Sequence, residues 1–352
     1  MPLFLIKTQT LHEKLLDCRG IGPGFDFMRI ALAISVILLH CVPVAHGFYW
    51  YAFHESFWFP AYAAILPMFF GLSGFLVTGS AVRLQSLKKF FANRILRIIP
   101  ALVVEVSLSA LILGALVTTL NLREYFTSSG FWSYFLNIIG IIHFELPGVF
   151  KDNPYPGTVN GNLWTLHPEY YSYLLIGALM LCKVVYHRGL YVALAGAAII
   201  GLIGLDWITQ FGKPVYAYSG NALIISFLIG SWLFQAARYI PIRPDFAVIA
   251  GIAYAFMCLK PGMAIAALVP LMYLTVYLGM TPLPKLGFLS RGDYSYGIYL
   301  YGFPIQQTLA YAFPQLHVWW KMALVAIPLT IAFAMFSWRY VEKPALRLKQ
   351  HF

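Results

Sequence analysis

Arg29 and His40 lie eleven positions apart in the first long apolar stretch of the chain. On a helix that spacing is roughly 16 Å of rise, so the two side chains serve different ends of anything they share. A histidine titrates near neutrality and can take a proton from a hydroxyl and return it to a leaving group, which makes His40 a candidate general base. An ionisable residue among Ile, Leu and Val is costly in lipid and by default faces the inside of a helix bundle. A plain hydrogen bond to a neighbouring helix would account for His40 equally well. Arg29 taken alone reads as a cytoplasmic anchor.

Arg94 and Arg97 follow in Phe90-Phe91-Ala92-Asn93-Arg94-Ile95-Leu96-Arg97-Ile98-Ile99-Pro100. Three positions apart, they are neighbours on one helix face. Paired guanidiniums suit nucleotide phosphates or anionic lipid headgroups, and Lys88 and Lys89 enlarge the basic surface. A third group is Trp164-Thr165-Leu166-His167-Pro168-Glu169. There Glu169 either orients His40 and stabilises its imidazolium or caps a helix start, for which Pro168 is well placed. Glu105 reads as an internal hydrogen-bond or salt-bridge partner. Gly71-Leu72-Ser73-Gly74 reads as a close-packing segment rather than a nucleophile. Cys41 points about 100° away from its neighbour His40 and is a poor partner for it.

The elements that must position these residues follow from composition. The chain has 352 residues, 60% hydrophobic and only 11% charged, with a mean hydropathy of +0.74, as expected of an integral membrane protein. Long apolar runs rather than alternating strands argue for helices and against a β-barrel. The runs fall at approximately 27–46, 57–80, 95–118, 166–184, 189–208, 220–237, 245–259, 263–280, 294–312 and 319–338. The expectation is an all-α bundle of about ten transmembrane helices with both termini cytoplasmic. All but five of the 24 lysines and arginines then fall on the cytoplasmic side; the five are Arg123, Lys151, Lys213, Lys260 and Lys321. The net charge of +11 is explained by this asymmetry, and no nucleic-acid partner is expected.

The four cysteines are scattered without metal-ligand spacing, so neither a disulfide nor a metal is expected. The first two dozen residues lack the apolar core of a cleavable signal peptide. We read one domain, 1–352, with a cytoplasmic segment at 1–25, a tail at 339–352 and a long outer loop at 119–165. The loop's aromatic half, Phe131 to Phe144, is expected as an interfacial or re-entrant helix. Its Pro/Gly/Asn-rich half is expected as an irregular functional loop.

The sequence resembles the membrane-bound acyltransferase-3 family. The resemblance is carried in order by Asp26, Arg29 and His40; Phe69-Phe70-Gly71-Leu72-Ser73-Gly74-Phe75-Leu76; Arg94, Arg97 and Pro100; Trp164 to Glu169; Ser295-Tyr296-Gly297-Ile298-Tyr299-Leu300; and Glu342-Lys343-Pro344. It implies a bacterial inner-membrane protein that moves an acyl group, commonly acetyl, from cytoplasmic acyl-CoA to a hydroxyl of a surface or lipid-linked carbohydrate. It also implies functional roles for Arg29, His40, Arg94, Arg97 and Glu169. Many members have a histidine before the aromatic-proline pair of span nine, where this chain reads Tyr301-Gly302-Phe303-Pro304. Many also carry a fused esterase-like domain not present in this sequence, so a separate periplasmic partner is an open expectation.

Joined to the spacing argument, the resemblance implies acyl-CoA phosphates on Arg94, Arg97 and Arg29, with the thioester near His40 and Glu169. The rival reading is a transporter or flippase for a lipid-linked sugar, with a proton path through His40, Glu105 and Glu169. Paired broken segments in two related halves, which would favour it, are not evident.

Overall fold

A computed structural model describes residues 9–18, 20–47, 56–210, 218–284, 287 and 292–351. Of the cations used for orientation, Lys7, Arg19, Lys213, Lys285 and Arg291 lie outside the described residues, as do the first eight positions of the N-terminal segment. The described residues are helical, with two isolated bridges, Thr10 to Pro241 and Glu145 to Thr158, as their extended pairings.

In chain order the helices are α1 (Leu11–Asp17), α2 (Phe25–His46), α3 (Phe59–Leu84) and α4 (Leu87–Val117). Two short loop helices follow, α5 (Leu122–Thr127) and α6 (Ser129–Tyr134), then α7 (Leu166–Leu181) and α8 (Arg188–Gln210). The last are α9 (Gly220–Gln235), α10 (Pro244–Met257), α11 (Ala264–Met280), α12 (Ser295–Ala312) and α13 (Trp319–Gln350). Each of the ten apolar segments is thus a helix. Five of these helices, α2, α3, α4, α8 and α13, are long and apolar enough to cross a membrane.

The helix of the third apolar segment begins at Leu87, before the apolar run itself, and carries Arg94 and Arg97 three positions apart, as read from the sequence. The polar positions before Ile95 still fit a helix because Lys, Asn and Arg sit on turns that Phe90, fully buried, anchors.

The chain sorts into two compact units. One contains residues 1–28, 57–87 and 171–285; the other contains 29–56, 88–170 and 286–352. In the first, α3 and α9 pack backbone to backbone. A side chain at Gly74 would meet the Phe227 carbonyl, and one at Gly230 would meet that of Gly71. Small residues permit this approach, as the Gly-Leu-Ser-Gly segment suggested. Trp232 Nε1 donates to the Val192 carbonyl at 3.0 Å, tying α8 to α9.

The second unit holds every candidate residue. α2 and α12 run side by side in the same direction: Arg29 meets Asp293, Gln306 Nε2 donates to the Ile37 carbonyl at 2.8 Å, and His40 meets Phe303. α4 runs parallel to them, since Tyr296 donates to the Ile98 carbonyl and Tyr301 to that of Ala101. α13 returns antiparallel, with Glu342 and Ala334 against Gly297 and Thr330 beside Gly302.

The 119–165 loop departs from the single helix expected of its aromatic half. Asn121 caps α5 by accepting from Glu124 N, and Ser128, extended between the helices, caps α6 by accepting from Phe131 N. A 3₁₀ turn, Phe135–Ile139, follows and stops at Gly140 with φ +87°, where a side chain would strike the Tyr170 ring. The irregular half is packed against α12. Asn153 Nδ2 donates to Gln307 Oε1 at 2.8 Å, and Gln307 Nε2 donates back to the Tyr155 and Thr158 carbonyls at 2.8 and 2.6 Å. Backbone groups that cannot pair in a ladder are satisfied by these buried amides.

Candidate functional site

At the first-residue end of the parallel trio α2, α4 and α12, two of the expected cations come together on one carboxylate. Asp293 Oδ2 accepts from Arg29 Nη1 at 3.0 Å and forms an ion pair with Arg97 Nη2 at 2.8 Å. Its other oxygen accepts from Ser295 Oγ at 3.0 Å. Burial pushes the Asp293 carboxyl up, but the Arg29 and Arg97 guanidiniums outweigh it and hold the group below the usual carboxylate range.

Arg94 lies one turn before Arg97 on α4, and both act electrostatically on Lys349, exposed near the end of α13. The Arg97 guanidinium also lies 6.0 Å from the centroid of the Tyr296 ring. Glu342 is buried close to Arg97, Asp293 and Arg29, and accepts from Ser337 Oγ at 3.1 Å. The π turn Trp338–Glu342 interrupts α13 here and carries the carboxylate inward. Arg29, Arg94, Arg97 and Lys349 thus gather around Asp293 and Glu342 in a charged cluster whose guanidiniums can take an anion.

His40 sits further along α2, half-buried, its ring edge-on to Phe303 with centroids 5.1 Å apart. Phe303 in turn meets the loop residue Tyr155 edge-on at 5.8 Å. The aromatic contacts therefore connect the imidazole to the 119–165 loop through one buried ring. Glu169 is half-buried near the start of α7 and acts on the phenols of Tyr296 and Tyr299. Along α12 it is thus placed between the Asp293 level and the Phe303 level. Glu105 is a hydrogen-bond partner, as its sequence context suggested, accepting from Asn160 Nδ2 at 3.0 Å and Ser109 Oγ at 2.9 Å.

The structure brings Arg29 and Arg97 together, sets Arg94 beside them, and holds His40 on the same helix as Arg29 but about eleven residues on. Asp293 was given no part from the sequence. The available signal was rarity: Asp293 and Glu342 are the only acids after Asp245. Both stand beside sequence motifs already noted.

The chain matches the family model described as an acyltransferase domain over residues 23–339. It is 29% identical to nodulation protein 10 of Rhizobium leguminosarum bv. viciae, covering 93% of this chain and 94% of that protein. It is 26% identical to an O-acetyl transferase of Shigella phage Sf6, covering 91% and 94%. It is also 26% identical to the peptidoglycan O-acetyltransferase OatA of Listeria monocytogenes, over 92% of this chain but 55% of that longer protein. No solved structure matches significantly. With its membrane-length helices the chain is a multi-pass membrane protein, and the family match over nearly its whole length means that it belongs to the acyltransferase-3 family and is an O-acyltransferase.

Proposed function

We propose that this protein transfers an acyl group, in the first instance acetyl, from cytoplasmic acyl-CoA to a hydroxyl of a cell-surface or lipid-linked carbohydrate. The observation that carries the reading is the arrangement along α2. Arg29 joins Arg97 in a positively charged cluster at one end, and His40 stands roughly 16 Å further along the helix. A donor whose phosphates are separated from its thioester by a long pantetheine arm matches that separation. The phosphates engage Arg29, Arg94 and Arg97, and the arm runs along the bundle toward His40.

His40 takes the proton of the acceptor hydroxyl as its oxygen attacks the thioester carbonyl. The tetrahedral adduct then collapses, the carbon–sulfur bond breaks, and the imidazolium returns the proton to the departing thiolate. The products are an ester and free CoA thiol. Glu169, on the wall formed with Tyr296 and Tyr299, steadies the imidazolium as it forms. The chain 1–352 acts as a single transmembrane domain of ten spans in the bacterial inner membrane. Both termini and the arginine end lie in the cytoplasm, the 119–165 loop lies outside, and a separate periplasmic protein presents or completes the acceptor. Acetyl as the group moved is suggested by the names of the relatives from phage Sf6 and Listeria, and a carbohydrate acceptor by the peptidoglycan in the second name.

Purified protein is incubated with radiolabelled acetyl-CoA and candidate glycans. Wild type should label the glycan, and His40→Ala should lose ~10² to 10⁴ of the rate while remaining monodisperse in detergent. Normal transfer by His40→Ala would refute the base assignment. Unlabelled glycan together with an unconsumed donor would refute the reaction.

A further inference from the structure

The best-defined polar contact at the arginine end belongs to Asp293. Its carboxylate draws together arginines from two different helices, α2 and α4, on the single oxygen Oδ2. Ser295, buried in the first turn of α12, accepts no such charge but holds the other oxygen at 3.0 Å, which fixes the plane of the carboxylate. The three charged side chains remain partly open, with 26%, 14% and 32% of Arg29, Arg97 and Asp293 accessible. They form a rim that a ligand can reach rather than a sealed ion pair.

Two guanidiniums facing one point repel each other, and without a shared counter-charge they would separate. A guanidinium carries five N–H donors in a rigid fork, so an arginine can be held by a carboxylate and still grip a phosphate. Arg94 and Lys349 add positive charge to this end, and Glu342 is a second acid close to Arg97 and Arg29.

We propose that Asp293 is the positioning residue of the donor site. By seating Arg29 and Arg97 on one oxygen, it sets their forks at the separation needed to clasp a phosphate dianion together. The inference rests on the acyl-CoA reading and names the residue that builds its phosphate grip. Asp293 itself touches no reacting atom.

Full-length Asp293→Asn, Asp293→Glu and Ser295→Ala proteins are assayed in nanodiscs with acetyl-CoA and the acceptor that wild type uses. Asp293→Asn should raise the KM for acetyl-CoA about tenfold or more, with kcat and the acceptor KM changed by less than about threefold. Asp293→Glu, which restores the charge, should recover most of the loss. Ser295→Ala keeps every charge but frees the carboxylate to turn. It should raise the donor KM about threefold, and it serves if Asp293→Asn fails to fold.

An unchanged donor KM in these variants would overturn the proposal. So would a lower donor KM, which would make the carboxylate a competitor of the phosphate. A loss confined to kcat would also overturn it, as expected of a group acting on the chemistry. Wild-type protein that neither binds CoA nor consumes acetyl-CoA would instead overturn the donor reading itself. The two failures are therefore read from different proteins.

Discussion

Asn160 donates through one Nδ2 to the Glu105 carboxylate and to the Leu300 carbonyl, both at 3.0 Å, so a loop residue joins α4 to α12 inside the second unit. All of these groups are buried, where a lost partner costs more than the bond itself contributed. The same loop is held lower on α12 by Asn153 and Gln307, and it supplies Tyr155 to the ring that meets His40.

Asn160→Ala should therefore destabilise the protein by about 1–3 kcal/mol, because Glu105 loses a donor in an apolar setting. Thermal unfolding in detergent should show a lower midpoint, and limited proteolysis should cut within 119–165 earlier than in wild type. An unchanged midpoint with unchanged cleavage would mean that the loop is held elsewhere.

Arg94→Gln and Arg97→Gln should weaken acyl-CoA binding without altering acceptor KM, with the Arg97 change the more severe because it also releases Asp293. Raising ionic strength should weaken donor binding in wild type and do so less in the double variant. Equilibrium binding of CoA, measured by calorimetry across a salt series, checks both statements. Equal donor affinity in all variants would remove the arginines from the site.

The depressed titration of Asp293 makes a statement about pH. A carboxyl held below its unfolded value contributes stability that is fully present above the ordinary carboxylate range and is lost as pH falls through the folded value. The melting difference between wild type and Asp293→Asn should thus be flat from about pH 5 to 8 and shrink only below about pH 4. A difference that varies across the neutral range would mean that Asp293 is not held ionised by its arginines.

Gly74→Ala should destabilise the first unit, because the added carbon would strike the Phe227 carbonyl oxygen, a backbone atom that cannot turn aside. The expected cost is about 1–3 kcal/mol, as for other overpacked positions. Gly201→Ala, on a part of α8 with nothing within 4 Å, is the matched control and should leave the melting midpoint in place. Equal midpoints for the two variants would show that α3 and α9 separate without loss.

Much of the helical layout was legible because lipid forces it. A segment that must satisfy its own backbone groups and cover itself with apolar side chains announces itself by hydropathy over about 20 residues. All ten apolar segments were read that way. Arg29, His40, Arg94 and Arg97 stood out for the complementary reason, since charge in such segments is expensive. Two kinds of information were not available from the chain itself. The extension of α4 back to Leu87, beyond the apolar run, depends on how Phe90 is buried, which a polarity profile does not report. The meeting of Arg29 with Arg97 through Asp293 joins positions 264 and 196 residues apart, and no local periodicity encodes such a contact. Sequence by itself determined which residues would be costly to bury and hence candidates for function. Only tertiary structure decided which of them share a counter-charge, because that depends on helices α2, α4 and α12 lying parallel with their arginine ends level.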